Sequence, residues 1–490
     1  MSSTHFQPKV ATYKQQRADR LNAFWTTPTA YRRVRIVTDD DIEATYPFIT
    51  ACVENPNLAL SVNEIAIDPD AWTPSWSSTG DKELSEPARP VRHDAHAAVE
   101  AYARGLGLSA ATTENMIIAL RWKMAHLMGY KSPSPNGFSA HNADYANTVA
   151  TLLLSICKNV EVLHIGDNYL LHNSYGRLPS PSLQKLKSIR FLGKHSMFES
   201  FYSELDFLVW MRCFHRLPAL KSVEMDAVME YQQVTRDIFP PKTGSFKSLH
   251  ITHADMGADM IGIMVRVPKA LEEFVLSIGG LRHPDDGGPS LRFKTLGKSL
   301  FDHKDTLRVL DLDIDRQCGP LQDKEEGKPN DAHPEEECYK DEFFLIDKSE
   351  STGSLWPHLL KDSRPFGIGI GPLDQFTALT HLSISLDALL GWPPSNRYPP
   401  SEDFETPFRL VDGLPASLES LRIYGYSRGE SSIHDDHVDE LMEKMGECLP
   451  KLKNIEGLEE TIEVVKNRTT DVEEEDLWER PHVDIDWLKA

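Results

Sequence analysis

Cysteine is scarce in this chain: six among 490 residues, with no C-x-x-C pair. That excludes a disulfide framework and a cysteine-built zinc site, and it predicts a reducing compartment, cytoplasmic or nuclear. Long apolar runs are also missing. None approaches the roughly 18–20 residues of a spanning helix. The opening MSSTHFQPKVATYKQQRADR has no apolar centre, so no secretory signal is expected. Positive charge is in deficit: 52 Lys and Arg stand against 74 Asp and Glu, a formal net charge of −22. Such a field repels phosphate polymers and anionic lipid, so neither nucleic acid nor membrane is an expected partner. What is present, 40% hydrophobic and 26% charged residues, is the composition of a chain that folds around a large core.

A short unit, apolar-x-x-apolar-x-apolar, recurs along the chain. It reads Val62-Ile65-Ile67, Val160-Leu163-Ile165, Leu186-Ile189-Phe191, Leu220-Val223-Met225 and Phe246-Leu249-Ile251. It continues as Leu271-Phe274-Leu276, Leu307-Leu310-Leu312, Leu379-Leu382-Ile384 and Leu418-Leu421-Ile423, with a degenerate copy at Leu452-Ile455. Its last two anchors alternate with polar residues, as in a half-buried strand. Apolar residues at spacings of three and four between the copies predict helices over Ala150–Lys158, Leu205–His215, Asp255–Val267 and Val438–Cys448. One strand and one helix per repeat predict a solenoid: a curved parallel sheet with helices on its convex side. An α/β barrel is the rival architecture.

The segments LLLSICKNVEVLHI, LPALKSVEM and LPASLESLRI resemble the irregular leucine-rich repeats of fungal F-box-type proteins over roughly residues 150–460. The strand-like Tyr31–Ile36 and the NP-x-LA stretch Asn55–Ala59 resemble the join between F-box and first repeat in that family. The resemblance implies an α/β leucine-rich-repeat fold and a protein-binding role, as a substrate receptor of a cullin-type ubiquitin ligase. The F-box, with its Leu-Pro-x-Glu helix start, is not recognisable in the residues before Leu21, so a ligase adaptor is expected only if an F-box exists. The other expectation of this class is a repeat scaffold unrelated to ubiquitin.

The expected organisation is an N-terminal segment and first strand (1–68), a helical insert or cap (69–149), irregular repeats (150–460) with an acidic loop at 315–372, and an acidic tail (461–490). Helical patterns at His93–Gly105 and Thr113–Met128 follow a Trp/Ser/Pro-rich stretch, and they are expected to cap the open end of the array. Residues 321–342 carry nine acidic and three basic residues without apolar periodicity, and so read as a solvated loop. The tail carries Trp478 and Trp487, which could fold back on the last repeat.

Little in the sequence points to catalysis. Gly425-Tyr426-Ser427-Arg428-Gly429 matches G-x-S-x-G after a strand, which would make Ser427 a hydrolase nucleophile with His437 or His482 as base. The sequence RGESSIHDDH follows where a helix should begin. His434, Asp435, Asp436 and His437 are metal-binding residue types, but they also suit a polar helix start capped by Ser431 or Ser432. GIGIGP lacks the spacing of a dinucleotide loop. Neither an enzyme nor a cofactor or metal is expected.

If the solenoid is right, binding falls on the concave strand face. The positions singled out there are Arg190, Glu224, Asp226, His250, Asp311, Asp313, Arg422 and Tyr424. Glu224, Asp226, Asp311 and Asp313 concentrate negative charge, which suits a basic protein partner, with Tyr424 and Arg422 as anchor types.

Overall fold

A computed structural model of the chain describes residues 33–36, 39–67, 93–127, 138–166, 174–180, 182–192, 207–226, 229–230, 240–256, 258–278, 280–281, 293–314, 364–366, 369–391, 406–464 and 467–468. The acidic run 321–342, the Trp/Ser/Pro-rich stretch, Trp478, Trp487 and His482 lie outside the described residues. Two compact units divide the chain: Met1–Arg190 with Leu217–Ala219 and Asp486–Ala490, and Phe191–Arg216 with Leu220–Ile485. Among the described residues no helix is long and apolar enough to cross a membrane.

In the first unit, β1 (Arg33–Ile36), β2 (Glu64–Ile67) and β3 (Val162–Gly166) pair in parallel and in chain order. Between β1 and β2 lie α1 (Asp39–Glu54) and the short α2 (Pro56–Ser61). Asn55 caps α2 by accepting from Asn57 N at 3.3 Å. Pro56 fills the first helical position, where its missing N–H is not needed. The two sequence-expected helices are α3 (His93–Gly105) and α4 (Ala110–Leu127). α3 packs on α1 and on α4, and α4 packs on α5 (Phe138–Ile156). Ala95, Val99 and Ala103, one turn apart, form the buried stripe of α3. The outer edge of β2 is occupied by β1.

β4 (Ser188–Leu192) spans the division between the units, and α6 (Phe207–Phe214) opens the second. There β5 (Ser222–Asp226), β7 (Ser248–Met256), β8 (Glu273–Ile278), β10 (Val309–Ile314), β11 (His381–Ser385), β12 (Ser420–Tyr424) and β13 (Asn454–Glu456) form one parallel path in chain order. The two-residue strand β6 (Met229–Glu230) pairs with β7, and β9 (Gly280–Leu281) pairs with β14 (Asn467–Arg468). The helices are α7 (Ala258–Arg266), α8 (Phe293–Phe301), α9 (Leu386–Leu390), α10 (Leu410–Gly413) and α11 (Ser432–Cys448). The chain is thus α/β, its named strands run parallel, and in neither unit does the sheet close as a barrel requires.

All anchors of the nine repeat copies are buried, none more than 1% exposed. In the degenerate tenth copy, Leu452 and Ile455 at the end of the path stay half-exposed. The residue after the first anchor has a fixed backbone role. Its carbonyl accepts two amides of the next repeat: Lys221 O from Lys247 N and Ser248 N, Lys247 O from Glu272 N and Glu273 N, and Glu272 O from Arg308 N and Val309 N. Arg308 O, Thr380 O and Glu419 O continue the series. In the first unit Asn63 O and Glu161 O do the same.

Two local differences from the sequence pattern stand out. β7 runs on to Met256, and its helix begins at Ala258 instead of Asp255. The residues ending the expected 315–372 loop are built into the helical layer. Arg364 is 8% exposed and donates to Pro372 O (2.8 Å) and Gly297 O (2.9 Å). Its guanidinium lies 4.1 Å from the ring centre of Phe301 and 4.8 Å from that of Phe366, a cation–π arrangement.

Candidate functional site

In β10 the anchors bury one side chain in two, and Asp311 and Asp313 stay half-exposed between buried Leu310, Leu312 and Ile314. Register places Glu224, His250, Val275, Asp311, Ser383, Arg422 and Glu456 side by side on consecutive strands. Glu224 and Asp311 are three strand steps apart, about 14 Å at ~4.8 Å per step. His250 and Val275 stand between them.

This row is wired internally. Tyr424 donates its hydroxyl to Asp311 Oδ1 at 2.9 Å, across β11. Ser383, opposite Asp311, and Ser385, opposite Tyr424, are small enough to leave that path open. Burial raises the Asp311 carboxyl above its usual range, partly offset by this hydrogen bond. Burial first, and the Asp311 charge next, push the Tyr424 phenol up to about 12, and Asp313 adds to the effect. Arg422 reaches Glu456 from both Nε and Nη2 at 2.8 Å. His250 Nε2 lies 3.2 Å from Glu273, and Ser248 donates to the same carboxylate at 3.0 Å.

Of the residues singled out in the sequence, Glu224, His250, Asp311, Arg422 and Tyr424 come together on this face, with Asp313 two residues along β10. Asp226 ends β5 opposite Thr252. Arg190 lies half-buried on β4, the last residue of the first unit's main segment. Basic His250 and Arg422 share the row of Glu224 and Asp311, so the face carries both signs of charge. Tyr424 is no exposed anchor: it is 8% exposed. The chain returns over it, with Tyr424 bridging Ile462 and Gly425 N donating to Ile462 O at 2.8 Å. Glu273, Ser248 and Glu456 were missed. Glu273 and Ser248 occupy the polar position just before the second anchor, and the anchor spacing could have pointed to them.

The G-x-S-x-G segment is a turn. Gly425 adopts φ 64° and Gly429 φ 90°. Asp435 closes the turn by accepting from Tyr426 OH (2.7 Å) and Gly429 N (3.0 Å). The helix that follows starts only at Ser432, capped by Ser431. His437 does not serve Ser427: its Nε2 pairs with Thr406 Oγ1 at 2.9 Å and its Nδ1 accepts from Leu410 N at 3.3 Å. His434 Nε2 lies 3.4 Å from Asp387. Among the described residues no three His, Cys, Asp or Glu are grouped to hold a metal ion. A recess of about 350 Å³ beside Arg364, Asp374 and Asp412 opens on a guanidinium already committed to two carbonyls.

No protein-family profile matches the chain, and no curated protein is significantly similar to it in sequence.

Proposed function

We propose that the second unit presents the polar face of its parallel sheet to another polypeptide, so that the chain is an intracellular recognition module of the leucine-rich-repeat type. The observation that carries this reading is the register row from Glu224 to Arg422: half-exposed side chains on consecutive strands, polar except for Val275, backed by buried anchors. Such a surface offers both signs of charge at fixed spacing, which favours specificity over bulk adhesion. The resemblance to F-box-type repeat proteins extends the proposal to substrate selection for a cullin-type ligase, where an adaptor-binding segment is joined to the chain.

The test is capture of partners with the intact chain and with a variant carrying Glu224→Ala, His250→Ala and Arg422→Ala. A partner retained by the first and lost by the second supports the reading. Equal capture of every partner overturns it. Co-purification of a ligase adaptor tests the extension separately.

A further inference from the structure

A second surface, independent of the sheet face, lies where the helix-to-strand turns meet the strand starts of the second unit. Two rows of cations run along it. Arg216, Lys242 and Lys269 occupy corresponding turns of three consecutive repeats, which are tied by Ser245 N→His215 O, Lys242 N→Arg266 O and Lys269 N→Gly244 O. Lys221, Lys247 and Arg308 occupy strand starts, aligned by the shared-carbonyl ladder. All six are exposed. Glu272, paired with Lys247 at 2.5 Å, interrupts the strand-start row. In a chain of net charge −22, such a basic edge is a local reversal of the overall field.

We infer that this edge docks an acidic segment of a partner protein. Strand starts recur at about 4.8 Å, so Lys221 and Arg308 stand three steps, about 14 Å, apart, and three alternate side chains of an extended peptide, at roughly 6.5–7 Å each, cover the same span. A nucleic acid fits less well. Thr243, Ser245 and Ala270, which lie among the cations, offer no aromatic face for a base. The surrounding negative field opposes a long polyanion more than a short acidic segment.

The experiment uses the full chain and a fluorescein-labelled peptide of alternating Glu and Ser, read by anisotropy at low ionic strength. Three proteins are compared: the unmodified chain, the Lys221→Gln/Lys247→Gln/Arg308→Gln variant, and a Lys451→Gln/Lys453→Gln control at the far end of the path. Unchanged melting temperatures establish that the variants fold. The expected result is binding that weakens about tenfold in the triple variant, persists in the control and falls with added salt. Absence of binding to the unmodified chain, equal losses in both variants, or tighter binding of an oligothymidylate of equal charge overturns the inference.

Discussion

Tyr424 on β12 and Asp311 on β10 are joined by a 2.9 Å hydrogen bond that passes over β11. The pair locks three repeats together on the face proposed for recognition, and the carboxylate it holds is already disfavoured by burial. Tyr424→Phe removes the donor while keeping the ring. The variant is expected to lose about 1–2 kcal/mol at neutral pH. A folded-state carboxyl raised above its unfolded value costs stability once ionised and is relieved as pH falls through its titration. The deficit of Tyr424→Phe should therefore shrink in acid. Urea denaturation at neutral and mildly acidic pH checks both points.

His303 gives a pH dependence of opposite sign. Its Nε2 donates to Val265 O at 2.8 Å and its Nδ1 accepts from Leu271 N at 3.1 Å, an arrangement open only to the neutral ring. Burial holds its pKa down to about 4. The unfolded chain takes up a proton near pH 6.5 and the folded one does not. The contribution is thus whole above pH 6.5 and is lost as pH falls towards 4, by about 3 kcal/mol in all. His303→Gln should flatten this acid limb in urea titrations, and an unchanged slope would count against the assignment.

Two helix glycines should respond oppositely to alanine. A Cβ on Gly446 of α11 meets nothing within 4 Å, so Gly446→Ala should stabilise the chain by about 0.5–1 kcal/mol. A Cβ on Gly297 of α8 would lie 2.0 Å from Ile370 O. Gly297→Ala must push α8 off the 369–372 turn, and it should destabilise by about 1–3 kcal/mol. Paired thermal melts check the contrast.

Ser427 is expected to stay unlabelled by a fluorophosphonate probe that modifies serine hydrolases. His437, its candidate base, is engaged by Thr406 and Leu410 N. Labelling read by peptide mapping would restore the hydrolase alternative.

Much of this fold was legible because each strand writes its own signature. An apolar-x-x-apolar-x-apolar unit placed every anchor from Val62 to Ile423 in the core. Where the reading slipped, distance along the chain was the cause. Asp255 looked like the start of a helix, yet strand pairing of Asp255 with Met229 carries β7 past it. Tyr424 read as an exposed anchor because nothing near it announces Ile462, the residue that bridges it. The packing of Arg364 on Gly297 O joins positions 67 residues apart. On the candidate face, the residue types and their alternation were readable. The pairing of Arg422 with Glu456, and of His250 with Glu273, depends on inter-strand register, which one strand's sequence does not encode.

The shared carbonyl at each strand start lets the chain reset its count. One acceptor holding two amides fixes where the next strand begins, whatever path the polypeptide took to get there. Arg308 O receives Thr380 N and His381 N after a 72-residue excursion, and the pairing resumes with Val309 opposite His381 as though the detour were of ordinary length. Growth by insertion is therefore uncoupled from alignment: a return segment can lengthen without shifting the phase of any strand beyond it.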